Sequence, residues 1–140
     1  MSVSSDYQVS FDRIDAAAAH EYLTRSYWAA GIPLETVQRA LANSMCVAAW
    51  YAGAQVGFAR AVTDQATFAY LADVYVLEEH RGKGLARAMV QALHRHSELQ
   101  GLRRWMLATL DAHPLYRSLG WTGLPDPSMI MQRHFPDVYE

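Results

Sequence analysis

Apolar and polar positions alternate over Tyr7-Gln8-Val9-Ser10-Phe11, a period of two that predicts a first strand. Asp12 or Asp15 then caps a helix running to about Arg25, with Ile14, Ala18 and Tyr22 on one face. Gly31 and Pro33 punctuate the chain, and Leu34, Val37 and Leu41 predict a second helix over about Leu34 to Ala42. Two strands follow, about Met45 to Tyr51 and Val56 to Val62, joined by a hairpin-like turn at Ala52-Gly53-Ala54-Gln55. After a turn at Thr63-Asp64-Gln65, a long apolar stretch from Thr67 to Leu77 leads into a glycine-rich turn.

The next helix, Gly84 to about Ser97, puts Leu85, Met89, Ala92, Leu93 and His96 on one stripe. Gly101 breaks the chain before a buried strand at Trp105 to Leu110, where a crossover to a parallel neighbour is the default. A short helix over about Pro114 to Leu119 stops at Gly120. Strands near Trp121 to Leu124 and Ser128 to Gln132 flank a loop marked by Pro125 and Pro127. The order β-α-α-β-β-β-α-β-α-β-β makes an α+β mixed sheet, one domain over residues 1–140 without repeats or linkers.

Composition narrows the classes. Hydrophobic residues at 51% and charged residues at 19% are globular values. A net charge of -2 argues against a nucleic-acid backbone as the main partner. The lone Cys46, within the apolar run Met45 to Trp50, reads as a buried thiol; no Cys/His spacing suits a metal. His20, His80, His94, His96 and His134 likewise show no metal or triad spacing and read as surface or packing residues. The first residues lack the layout of a secretion signal and no run is long enough to span a membrane, so a cytoplasmic protein with no membrane partner is expected.

The chemistry concentrates after Val74-Tyr75-Val76. Gly82 and Gly84 flank Lys83, so backbone N–H groups can converge at a helix start whose dipole favours phosphate. A Rossmann fingerprint fails because Arg87 stands where a third small residue is needed, and a Walker A loop fails because Gly84 follows Lys83. Arg81-Gly82-Lys83-Gly84-Leu85-Ala86 instead fits Arg/Gln-x-x-Gly-x-Gly/Ala, and Leu115-Tyr116-Arg117-Ser118-Leu119-Gly120-Trp121 is close to Leu-Tyr-x-x-x-Gly-Phe. Together these motifs resemble the GNAT N-acetyltransferase superfamily over roughly residues 66 to 124.

The resemblance implies the GNAT acyl-CoA N-acyltransferase fold: a mostly antiparallel sheet with a central parallel pair and helices on both faces. It implies acetyl-CoA as co-substrate, without a metal, and transfer to a primary amine of a small molecule or protein. In that reading Arg81 to Ala86 hold the pyrophosphate, Val74 to Val76 pair with the pantetheine arm, and the Val76 N–H polarises the thioester carbonyl. Tyr116 is the acid that returns a proton to sulfur. Thr109 departs from the asparagine often found there for the pantetheine contact. Many relatives dimerise, so a homodimer is a further expectation.

For the base, Asp73 is the first candidate, since a carboxylate in an apolar run is costly unless paired or functional; Glu78, just past the strand, is second. Tyr27 and Trp28 could line an aromatic acceptor pocket, with Glu35 as a partner for a cationic amine. Two rival readings are a non-catalytic acyl-CoA sensor of the same fold and an RNA-binding module, the latter disfavoured by charge.

Overall fold

The computed structural model describes residues 3–140; Met1 and Ser2, where the leader reading begins, lie outside it. Among the described residues nine α-helices and β-strands appear: β1 (Tyr7–Ser10), α1 (Ala16–Leu23), α2 (Leu34–Ala42), β2 (Met45–Tyr51), β3 (Ala54–Thr63), β4 (Phe68–Val76), α3 (Leu85–Arg95), β5 (Arg104–Met106) and α4 (His113–Ser118). They form one five-stranded sheet in the order β1-β2-β3-β4-β5. The first four strands are antiparallel and β5 is parallel to β4, with α3 as the crossover. The α+β mixed sheet is therefore present.

Both faces are covered. Val47, Ala59, Leu71, Leu85, Met89 and Leu93 form the core between the sheet and α3. Ala19, Leu23, Val37, Cys46, Phe58 and Tyr75 pack on the opposite face with α1 and α2. Phe58 on one face and Ala59 on the other follow from the two-residue period of a strand.

Local chemistry sets the boundaries. Asp15, not Asp12, caps α1: its Oδ1 accepts from Ala18 N at 3.0 Å. The buried Gln55 amide holds the same turn, accepting from Asp15 N at 2.8 Å and donating to Asp15 O at 3.2 Å. The β3–β4 turn is tied by Asp64, which accepts from Thr67 Oγ1 at 2.7 Å and from the Thr67 and Ala66 N–H groups; these bonds, Thr67's foremost, hold its carboxyl well below the usual range.

Three expectations are corrected. The strand expected to run to Leu110 ends at Met106, because the chain there turns away from β4 and loses its ladder partner. His96 leaves the α3 stripe; its Nδ1 accepts from Glu98 N at 3.1 Å and starts a separate 3-10 turn. Neither final strand forms: beyond Trp121 there is one 3-10 turn, Pro127–Met129, and otherwise irregular chain, because an extended segment becomes a strand only when a neighbour takes its N–H and C=O groups. The arm ends beside the α1–α2 loop, with Tyr139 against Gly31. Among the described residues no helix is long and apolar enough to cross a membrane.

Two stability predictions arise from the α3 face. A Cβ on Gly57 would sit 3.1 Å from Met89 Cε, 3.2 Å from Ala49 Cβ and 3.3 Å from the Tyr75 carbonyl. Gly57→Ala should therefore cost about 1–3 kcal/mol in urea unfolding; an unchanged midpoint would show that α3 can retreat freely. His94 Nε2 accepts from the Trp121 indole N–H at 3.2 Å, and burial lowers its pKa. The unfolded chain then takes up the proton more readily, so this contribution is complete above the ordinary value near 6.5 and is lost as pH falls toward the depressed one. Between about pH 7.5 and 5.5 the melting temperature should fall less for His94→Gln than for the parent chain; equal slopes would remove His94 from the account.

Candidate active site

The site begins where two strands separate. β4 and β5 pair only at Phe68 with Arg104, Ala69 with Trp105 and Tyr70 with Met106, while β4 continues to Val76. Between the diverging chains lies a cleft of about 1000 Å³, walled on one side by Leu71 to Val76 and on the other by Leu107 to Ala112.

A bulge shapes its β4 wall. Phe58 faces Tyr75 and Arg60 faces Ala72, so Asp73 and Val74 together oppose Ala59. Asp73 takes a left-handed conformation, φ 56°, which a residue with a side chain adopts at a cost. Its carboxylate is anchored at both oxygens: Oδ1 accepts from the Trp28 indole N–H at 2.9 Å and Oδ2 from Arg60 Nε at 2.8 Å. Arg60 Nη1 also donates to Ser44 Oγ at 3.1 Å.

Past the bulge the main chain itself faces the cleft. Leu77 N donates to Val56 O at 2.8 Å, and these residues flank the opposed pair Val76 and Gly57. In an antiparallel ladder that arrangement makes Val76 and Gly57 a non-hydrogen-bonded pair, so the Val76 N–H and C=O point away from β3. Arg81 Nε takes the carbonyl at 2.9 Å, which leaves the Val76 N–H as a donor toward the cleft.

The glycine turn closes the next side. Gly82 at φ 76° and Gly84 at φ 80° bring the chain to α3, whose first intrahelical bond runs from Ala88 N to Gly84 O. The N–H groups before Ala88 are thus unused by the helix, and its dipole reinforces them toward an anion. Gly82, Gly84, Leu85 and Ala86 all line the cleft. Arg81 and Arg87 line it too, braced by bonds to the Tyr22 hydroxyl at 3.2 Å and Ser118 Oγ at 2.8 Å. A pyrophosphate and an extended amide-bearing arm fit these groups: a cradle of donors, positive charge, and an unpaired strand edge.

Tyr116 stands on the opposite wall. Pro114 in the first turn of α4 and a bond from Trp121 N to Tyr116 O at 3.0 Å fix its backbone, and Trp121 packs against its ring. Only 8% exposed, it lines the cleft, and none of the side-chain hydrogen bonds among the described residues engages its hydroxyl. Burial raises its pKa. Thr109 lines the cleft, but its Oγ1 accepts from Ala112 N at 3.0 Å and so serves the entry to α4.

The far end is aromatic. Tyr22 stacks on Tyr75 with centroids 4.0 Å apart, burial pushes the Tyr75 hydroxyl up to about 12, and Tyr27, Trp28 and Tyr70 complete the wall. Glu35, on the first turn of α2, and Glu78, in the 3-10 turn after β4, are exposed and do not line the cleft; Lys83 is exposed at its margin. His80, expected as a surface or packing residue, lines the cleft, with Nδ1 2.8 Å from the Tyr7 hydroxyl. Spacing could not reveal it because Tyr7 is 73 residues away. Among the described residues no group of three or more His, Cys, Asp or Glu could hold a metal.

Comparison with known proteins agrees with this architecture. A family model described as "Acetyltransferase (GNAT) family" matches residues 11–121. A curated relative from Gibberella zeae, called "Putative acetyltransferase", is 36% identical over 82% of this chain and 78% of its own. A GNAT-family crystal structure from Xanthomonas campestris pv. campestris, also titled a "putative acetyltransferase", superposes with TM-score 0.90 at 46% identity, covering 95% of this chain and 96% of that one. Glucosamine-6-phosphate N-acetyltransferase from Arabidopsis thaliana shares the fold alone, with TM-score 0.70 at 15% identity over 92% and 98% of the two chains.

The anchoring of Asp73 is testable as a coupling. Asp73→Ala should destabilise by about 3 kcal/mol, because it leaves Arg60 with a poorly solvated charge. The double variant with Arg60→Met should lose clearly less than the sum of the singles in urea unfolding. Additive losses would mean that the pair does not hold the bulge.

Proposed function

We propose that this chain, which belongs to the acetyltransferase (GNAT) family, transfers an acetyl group from acetyl-CoA to a primary amine by direct attack in a ternary complex. The separation of β4 from β5 carries the reading, since it opens donors for a phosphate-bearing arm at one end and an aromatic pocket for the acceptor at the other. Acetyl-CoA supplies the acyl group as a thioester, whose C–S bond breaks as the new C–N bond forms.

The chain's own groups position and move protons. The Val76 N–H donates to the carbonyl oxygen where negative charge develops. Tyr116 gives its proton to the departing sulfur and regains one from solvent. Its raised pKa keeps it protonated at neutral pH, ready for that donation. Asp73 is an anchor, because both its oxygens already accept bonds. His80 takes the proton released by the amine: in the tautomer whose Nδ1–H faces the Tyr7 oxygen, 2.8 Å away, Nε2 is the acceptor. Tyr22, Tyr27 and Trp28 offer π faces to an alkyl ammonium before it is deprotonated.

Cys46 takes no part. It is buried among Val37, Phe58 and Tyr75, away from the cleft lining, and burial pushes its thiol up to about 11, so it is protonated and shielded.

The test is release of free CoA thiol from acetyl-CoA over a panel of polyamines, amino acids, aminoglycosides and peptides. Tyr116→Phe should lower kcat about 10²–10⁴-fold with little change in the KM for acetyl-CoA, while Cys46→Ala keeps parental turnover. Undiminished kcat in Tyr116→Phe would exclude the acid, and inactive but folded Cys46→Ala would exclude direct attack. Acetyl-CoA binding without thiol release for any amine would favour the sensor reading.

A further inference from the structure

The Tyr116 hydroxyl is free of side-chain hydrogen bonds among the described residues, so packing around its ring decides where that hydroxyl lies. A proton donor must sit within hydrogen-bond reach of the group it serves, and a misplacement of about 1 Å can cost on the order of 10²-fold in rate. Whatever fixes the ring is therefore part of the site.

Trp121 grips Tyr116 at two points. Its backbone N–H donates to the Tyr116 carbonyl at 3.0 Å, and its indole lies across the phenol ring with centroids 5.9 Å apart at 64°. The indole is itself held: its N–H donates to His94 Nε2 at 3.2 Å, and Trp105 stands edge-on to both rings, 5.0 Å from His94 and 6.2 Å from Trp121. An indole nitrogen only donates, so the imidazole nitrogen facing it must be bare, which makes His94 neutral with its proton on Nδ1. Protonation at Nε2 would set two N–H groups against each other and release the indole. A second cavity, of about 460 Å³, opens beside these rings; among the described residues Arg104 is the only other ionisable group in its wall, and no carboxylate there favours an imidazolium. Arg95, His96 and Glu98, the ionisable neighbours along the chain, do not line it. Burial lowers the His94 pKa, so the accepting form is the one present at neutral pH.

We propose that His94 is a positioning residue for Tyr116, holding the Trp121 indole as the backing of that ring. The inference rests on the reading of Tyr116 as the acid. His94 lies in the last turn of α3, whose first turn offers donors to phosphate, so one helix carries both the anion cradle and the brace of the acid.

His94→Leu removes the acceptor and should lower kcat for CoA thiol release at about pH 8 roughly tenfold, with the KM for acetyl-CoA held within about twofold. His94→Gln, whose Oε1 can take the indole N–H, should recover most of that loss. Trp121→Phe keeps a ring but removes the N–H, so it should fall to the level of His94→Leu, and the two changes together should cost no more than either alone. Tryptophan emission reports on the contact without turnover. An imidazolium beside an indole quenches it, so emission of the parent chain should drop as pH falls below about 6.5 while that of His94→Gln stays flat.

The outcomes separate the two readings. If Tyr116→Phe keeps parental kcat, the acid reading fails and the brace with it. If Tyr116→Phe is slow and His94→Leu lowers kcat by the same factor in that background as in the parent, the acid stands and the brace is overturned. An emission titration that His94→Gln leaves unaltered would overturn it as well, even where His94→Leu does not fold.

Discussion

The carboxylate of Asp73 is the constraint on which the rest depends. A left-handed residue inside a strand is uphill, and here it persists because Trp28 and Arg60 hold both of its oxygens. The bulge it creates lies where β4 loses its parallel neighbour, and the main chain beyond it turns the Val76 N–H toward open space. Parallel strands normally stay zipped and buried. This pair parts after three residue pairs, and the unsatisfied edge is left facing the cleft.

Much of this was legible in the residues. Period-two and helical patterns placed β1, α2, β2, β3 and α3 to within a few residues, and the glycine turn pointed to a helix N-terminus facing an anion. The cleft itself was not legible. An apolar run from Trp105 to Leu110 reads as strand whether or not a neighbour lies beside it, and only the register with β4 shows that pairing stops at Met106. The arm after Trp121 has the same character: its pattern is strand-like, but among the described residues no neighbouring strand takes its N–H and C=O groups.

Side-chain roles divide along similar lines. Tyr116 could be singled out because a local motif fixes it, and it lines the cleft with Arg81 and the two glycines. Asp73 was notable as a charge in an apolar run, yet its engagement with Trp28 spans 45 residues and is invisible to spacing. His80 acquires significance only because β1 brings Tyr7 beside it.

Trp28 serves two masters. Its ring forms part of the cleft wall, and its N–H secures the strand that forms the adjoining wall. A change of shape at this position is therefore also a change of foundation, and divergence in what the wall admits is channelled elsewhere. Tyr27, which packs edge-on against Trp28, and Tyr70, exposed on β4, can vary without loosening the bulge. A change at either ring would reshape the cleft wall and leave the bond from Trp28 to the bulge in place.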